Sequence, residues 1–374
     1  MKITCKQFMV LLLLLAMFSC QQKKENNDSM ILLSLAESTC SAANLFSSIE
    51  IIPLETSEES LLKRVNRVEF TGENYYIYDD QQYALFIFDE KGGYKNKIQR
   101  IGHGPEEYTY VSDFVVDRDN GTIYLLSFNK LLAYDPDGNF IRSYTLPGPA
   151  TVYQRMAMLD AEHFALWANR LEGEEGLFIY RLGDEEMHSC LYDFGNELLT
   201  SFNVFHVYDQ DVYFSTQFDH NVYKLTVDQG LSAVYTWYLG NSYDITSHGL
   251  TSGPESYKEH EDKLNDLIET KKIHRYMQNL QNDKYLYIRL STENAPSKTL
   301  LYNKKEKTKF LSQTTTEGIQ LYFLNMYNDH AIGRVNPSDT DQLLALDITN
   351  EQSKQFIRQA KEDDNPLLIK YHFK

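Results

Sequence analysis

Five pairs of matched residues recur at one spacing of 46: Val65 and Val111, Val68 and Phe114, Tyr78 and Tyr124, Asp89 and Asp135, Gly92 and Gly138. A repeat of this length constrains the fold more than any single motif, because each unit must bury its apolar face against the next. Within each unit, short β-branched and aromatic runs alternate with tight turns. Asp117-Arg118-Asp119-Asn120-Gly121 and Asp135-Pro136-Asp137-Gly138 are such turns, where Asp and Asn bond locally, Pro presets φ and Gly takes positive φ. Four strands per unit of about 40–50 residues predict an all-β, six-bladed β-propeller.

Weaker copies follow. Phe164–Trp167, Leu177–Tyr180 and the Gly183-Asp184 turn make a third unit. Asp211–Phe214 with Asn221–Leu225 make a fourth, and Tyr285–Ile288 with Thr299–Asn303 a fifth. Leu321–Phe323 and Ala331–Val335 open a sixth. A ring needs closure, and two segments could supply it: a strand from Asn44 to Leu54, and the C-terminal Asn365–Phe373. Two short helical insertions are predicted. One spans 254–272, where Leu264, Leu267 and Ile268 fall at helical spacing. The other spans 350–361, with Thr349 and Gln352 as a capping box. Both fit on a rim of the disc.

The N-terminus reads as targeting rather than fold. Lys2 and Lys6 precede an apolar run, Phe8–Phe18, too short to span a bilayer. It ends in Ala16-Met17-Phe18-Ser19-Cys20, which resembles a bacterial lipobox; the resemblance implies cleavage before Cys20 and its acylation. The polar segment Gln21–Ser29 resembles the surface-export signals of Bacteroidetes lipoproteins. The expected organisation is a signal peptide over 1–19, a lipidated flexible tether over 20–43 and a propeller over 44–374. Only Cys40 and Cys190 then remain, as one disulfide or as two isolated thiols.

The formal charge is −17, which argues against nucleic acid as a partner. The ten histidines show no His-Glu-x-x-His or His-x-His spacing, and no phosphate loop, dinucleotide fingerprint or Gly-x-Ser-x-Gly is present. A calcium loop starting at Asp117 fails because Phe128 stands where a bidentate Glu is required.

Several local features resemble the six-bladed β-propeller lipoproteins of Bacteroides-type bacteria, relatives of the NHL-like and TolB-like propellers. These are Ile52-Pro53-Leu54-Glu55, the loop Gly102-His103-Gly104-Pro105-Glu106-Glu107-Tyr108, the turn Tyr134–Gly138 and the ending Asp363-Asp364-Asn365-Pro366, within residues 46–374. The resemblance implies a fold and an outer-membrane, lipid-anchored location facing the periplasm or the cell surface. It implies no reaction. Two clusters are candidate ligand sites at the channel mouth. The first is Arg100, His103, Glu106, Glu107 and Tyr108, which a blade-clamping loop explains equally well. The second is Tyr153, Arg155, Trp167 and Arg170, where aromatic rings with Arg suit sugars or peptides, although Trp167 also fits a blade core. The expected function is a non-catalytic binding or scaffold module for a glycan, peptide or protein, without a cofactor. The alternative is a lyase- or lactonase-like enzyme holding a divalent cation such as calcium in the channel.

Overall fold

A computed structural model describes residues 30–148, 152–168, 176–190, 203–240, 262–263, 265–267, 269–270, 274–292 and 295–374. Six sheets, antiparallel apart from one added edge strand, follow one another around a ring, so the fold is the six-bladed propeller that the repeat predicts. Blade one runs from its inner to its outer strand as Arg67–Phe70, Asn74–Asp79, Ala84–Asp89 and Tyr94–Ile98. Blade two is Asp113–Val116, Ile123–Ser127, Lys130–Tyr134 and Phe140–Thr145. The inner strands of blades three to six are Arg155–Met158, Phe205–Tyr208, Arg275–Gln281 and Phe323–Met326.

The 46-residue step holds down to single hydrogen bonds. The Asp89 carboxylate accepts the N–H groups of Lys91 and Gly93, both at 2.8 Å. The Asp135 carboxylate accepts those of Asp137 and Asn139 at 3.0 and 2.8 Å. Gly92 and Gly138 follow at φ of +88° and +82°, where a side chain would be strained. Apolar side chains form six clusters, each bridging two adjacent blades. Val68 and Ile77 of blade one thus meet Leu324 and Ile332 of blade six. At about 25 cal/mol per Å² of buried apolar surface, these inter-blade layers supply the main favourable term for the ring.

Both predicted closing segments are used. Phe46–Ile52 is the outer strand of blade six and pairs antiparallel with Leu367–Phe373, the third strand of that blade. Residues 46–52 and 367–373, more than 300 positions apart, are therefore held in one sheet. The helix Glu351–Gln359 packs on this outer strand, with the Ile51 N–H donating to Ser353 Oγ at 2.9 Å. Its cap is not the predicted Thr349–Gln352 box. Asn350 is the extended residue, and its Oδ1 accepts the Ser353 N–H at 2.8 Å. Thr349 is occupied one step earlier by a backbone bridge to Ile49, so the helix begins after it. Of the helix predicted over 254–272, residues 262–263, 265–267 and 269 are helical, Thr270 is in a turn, and the rest lie outside the described residues.

Residues 30–43 do not form the free tether expected of them. Met30–Leu32 adds a parallel fifth strand to the outer edge of blade four, with Met30 opposite Thr236 and Leu32 opposite Tyr238. Ser38 then bridges Leu311 on the outer strand of blade five. Ser41 and the Ala42 N–H both reach the Glu317 carboxylate. The segment is a strap across two sheet edges that would otherwise present unpaired backbone groups. Cys40 is a free thiol, so the disulfide that would join it to Cys190 is not formed. Among the described residues, no helix is long and apolar enough to cross a membrane.

Candidate functional site

The inner strands begin at one end of the disc. There Arg67 lies opposite Tyr78 and Asp113 opposite Leu126 in the antiparallel registers. The loops entering each inner strand, and the turns between second and third strands, share this face. All the predicted ligand residues that fall within the described set belong to strands and loops at this end, but they do not form one site.

The Gly102–Tyr108 loop folds on itself. Tyr108 is 3% exposed. Its hydroxyl donates to the carbonyls of Tyr83 and Ile98 at 2.9 and 3.1 Å, and burial pushes the phenol up to about 12. The Glu107 carboxylate accepts the Gly104 N–H at 2.8 Å, and a Cβ on Gly102 would collide with it. Arg100 pairs with Glu106 at 3.0 Å. His103 is exposed. The loop thus acts as a structural clamp, and its glycines make room for the Glu107 carboxylate.

The second predicted cluster is divided between layers. Tyr153 is fully buried, donates to the Pro147 carbonyl at 2.8 Å and belongs to the apolar layer between blades two and three. Trp167 belongs to the layer between blades three and four, with its ring 5.4 Å from that of Phe214. Arg155 alone stays at the channel, at the head of inner strand three, donating to the carbonyls of Ser112 and Gln154. Arg170 lies outside the described residues, as does Cys20.

Groups not predicted from the sequence line the inner strands. Arg67 of blade one donates to Asp113 of blade two and to Glu69. Its guanidinium carbon lies 4.9 Å from the Phe114 ring centroid. Asp113 Oδ2 accepts the Met156 N–H of blade three at 2.8 Å. Across the ring, Gln278 of blade five donates to the Leu324 carbonyl of blade six, and Asn325 of blade six to the Val68 carbonyl of blade one. The Tyr327 hydroxyl accepts the Phe70 N–H at 2.7 Å. Each side chain satisfies a backbone or charged group on the inner strand that follows, so the innermost sheet edges are cross-linked. Among the described residues, no group of three or more His, Cys, Asp or Glu side chains is placed to hold a metal ion.

Beside the exposed His103 and the Arg100–Glu106 pair, this face carries aromatic rings. The rings of Tyr83, Tyr110 and Phe128 form a row across blades one and two, with centroid steps of 5.3 and 5.7 Å. Phe128 is 40% exposed. Tyr83 and Phe128 stand at φ of +49° and +52°, a conformation that costs an aromatic L-residue energy and that Gly or Asn would adopt more easily. Tyr110 leads into the inner strand of blade two. Burial raises its phenol pKa, and the charge of Arg155 works against that rise.

The chain belongs to a family described as domain of unknown function DUF4934, which matches residues 33–372. It is similar in fold to a protein of Bacteroides fragilis described as exported, with a TM-score of 0.72 at 17% identity, covering 92% of this chain and 99% of that one. It is also similar to a member of the DUF4221 family from Bacteroides vulgatus, with a TM-score of 0.52 at 13% identity, covering 88% of this chain and 98% of that one. At these identities the likeness shows the fold alone. No curated protein matches the chain.

Proposed function

We propose that this protein is a lipid-anchored component of the outer membrane, and that its propeller is a non-catalytic binding module for a glycan, a peptide or a protein segment. The observation that carries the reading is the Tyr83–Tyr110–Phe128 row beside Arg155. Two of its three rings are held in a costly backbone conformation, and Phe128 is left in contact with water. Aromatic rings with a neighbouring guanidinium supply apolar area and hydrogen bonding at low entropic cost. The cross-linked channel favours recognition on a rigid face over chemistry inside the ring. The lipobox-like Ala16–Cys20 segment supports the anchor, and the exported relative from B. fragilis supports the compartment.

The test is to screen the mature full-length protein against panels of immobilised glycans and peptides. Binding should be found, and Phe128→Ala and Tyr110→Ala should each weaken it by about tenfold or more at unchanged stability. Undiminished binding by both variants would refute the site. A stoichiometric divalent ion in the purified protein would favour the enzyme alternative. Fatty-acid labelling that survives Cys20→Ala would refute the anchor.

A further inference from the structure

The opposite face of the disc carries a second cluster, at the junction of blades four and five. His206 and Tyr208 come from the end of inner strand four, Gln281 from the end of inner strand five, and Asp283 and Lys304 from the turns beside it. The Lys304 Nζ lies 4.6 Å from the centroid of the Tyr208 ring and donates to Gln281 Oε1 at 3.1 Å. The other end of that amide, Gln281 Nε2, faces His206 Nε2 at 3.3 Å. His206 is buried, stacks on Tyr213 at 5.0 Å, and is pushed down to about 3 by burial and then by the Lys304 charge, so it stays neutral. With the imidazole neutral and its Nε2 accepting, the amide is oriented with its oxygen toward the lysine. Asp283 is the nearby carboxylate, but its Oδ1 accepts the Tyr208 hydroxyl at 2.5 Å. Among the described residues, no carboxylate lies within ion-pair distance of Lys304 Nζ. A half-buried ammonium is thus left with an aromatic face and a neutral amide as its partners.

We propose that Lys304 is a nucleophilic amine, and that the cluster around it captures aldehyde-bearing compounds, such as the open-chain end of a reducing sugar, as an imine. The neutral amine adds to the carbonyl carbon and forms the C–N bond. The carbonyl oxygen then leaves as water with the two amine hydrogens, so one aldehyde is taken up and one water released, with no change in oxidation state. Burial lowers the amine to about 8 against the pull of Asp283, which leaves a substantial neutral fraction near neutral pH. An exposed lysine is almost fully protonated there. The site is independent of the aromatic face and does not rest on the function proposed for it.

The test treats the mature full-length protein with glycolaldehyde and cyanoborohydride between about pH 6 and pH 10, and maps reductive labelling by peptide mass spectrometry. A drop from the ordinary 10.5 to about 8 gives roughly three-hundredfold more free amine near neutrality, partly offset by weaker intrinsic nucleophilicity. Lys304 should therefore label about tenfold faster than the exposed Lys305 beside it, with its rate rising through a midpoint near pH 8. Lys304→Arg should remove the fast label. Gln281→Glu, which places a carboxylate against the ammonium, should slow it by about tenfold. Labelling of Lys304 at the rate of Lys305, or a rate unchanged by Gln281→Glu, would overturn the proposal.

Discussion

At the junction of blades one and two, the inner strands are joined by Arg67, Glu69 and Asp113, all largely buried. At the junction of blades four and five, the fully buried joining groups are neutral. The Trp237 indole N–H donates to Asn279 Oδ1 at 2.8 Å, and Asn279 Nδ2 donates to Ser215 Oγ at 2.9 Å. The outer edges differ as well. Blades four and five are covered by the strap of residues 30–43. Blade one ends in Tyr94–Ile98, which carries Lys95 and Lys97 and a register irregularity against the third strand. One blade architecture is therefore held in two ways: by buried charge between inner strands with a self-protected edge, or by a neutral amide link between blades with a borrowed strand outside. Buried charge makes a junction specific but intolerant, because removing one partner strands the other.

That intolerance gives the largest expected effect. Asp113→Ala leaves Arg67 with Glu69 alone and deprives the Met156 N–H of its acceptor. It should lower unfolding free energy by about 3–5 kcal/mol. Asn279→Ala, the matching deletion at the neutral junction, should cost about 1–3 kcal/mol. Urea titrations followed by circular dichroism give both values. Equal losses would erase the distinction between the junctions.

The charged junction was partly legible in the sequence. Arg67 and Asp113 stand 46 residues apart, so the repeat that predicts the ring also places opposite charges at equivalent positions of adjacent inner strands. Reading them as a contact required combining the period with closure. The aromatic row was not legible, because Tyr83, Tyr110 and Phe128 sit in turns and an entry loop, where the repeat fixes no side chain. The glycine-rich loop stayed ambiguous for a physical reason: Gly102 and Gly104 accommodate the Glu107 carboxylate, and sequence cannot separate that need from close approach to a ligand. The strap escaped because Met30–Leu32 is a three-residue strand, too short to carry a period.

Acid should sharpen the comparison next. His206 at the blade four–five junction is held neutral, with its pKa lowered to about 3 by burial. The unfolded chain binds that proton near pH 6.5. Stability from this group is therefore present above about pH 6.5 and lost as pH falls toward 3. Between pH 7 and pH 5 the loss should be about 2 kcal/mol, and His206→Gln should flatten this part of the profile. A wild-type profile that is flat over this range would remove the assignment.

The smallest effect tests whether the strap belongs to the neutral half of the ring or merely lies on it. Glu317 accepts from the Ser41 hydroxyl and the Ala42 N–H, and these bonds, outweighing partial burial, hold its carboxyl at about 2. The latch is thus complete above the ordinary carboxylate range and is lost as pH falls toward 2. Glu317→Gln keeps the shape and removes the charge that both donors address, which should cost about 1 kcal/mol in a partly exposed site. If the strap is integral, backbone amides of the blade four and five outer strands that pair with it, such as Leu311, should exchange with deuterium several-fold faster in the variant. Amides of blades one and two should be unchanged. Faster exchange throughout the ring would mean that the latch acts on global stability, and that the two halves are not held separately.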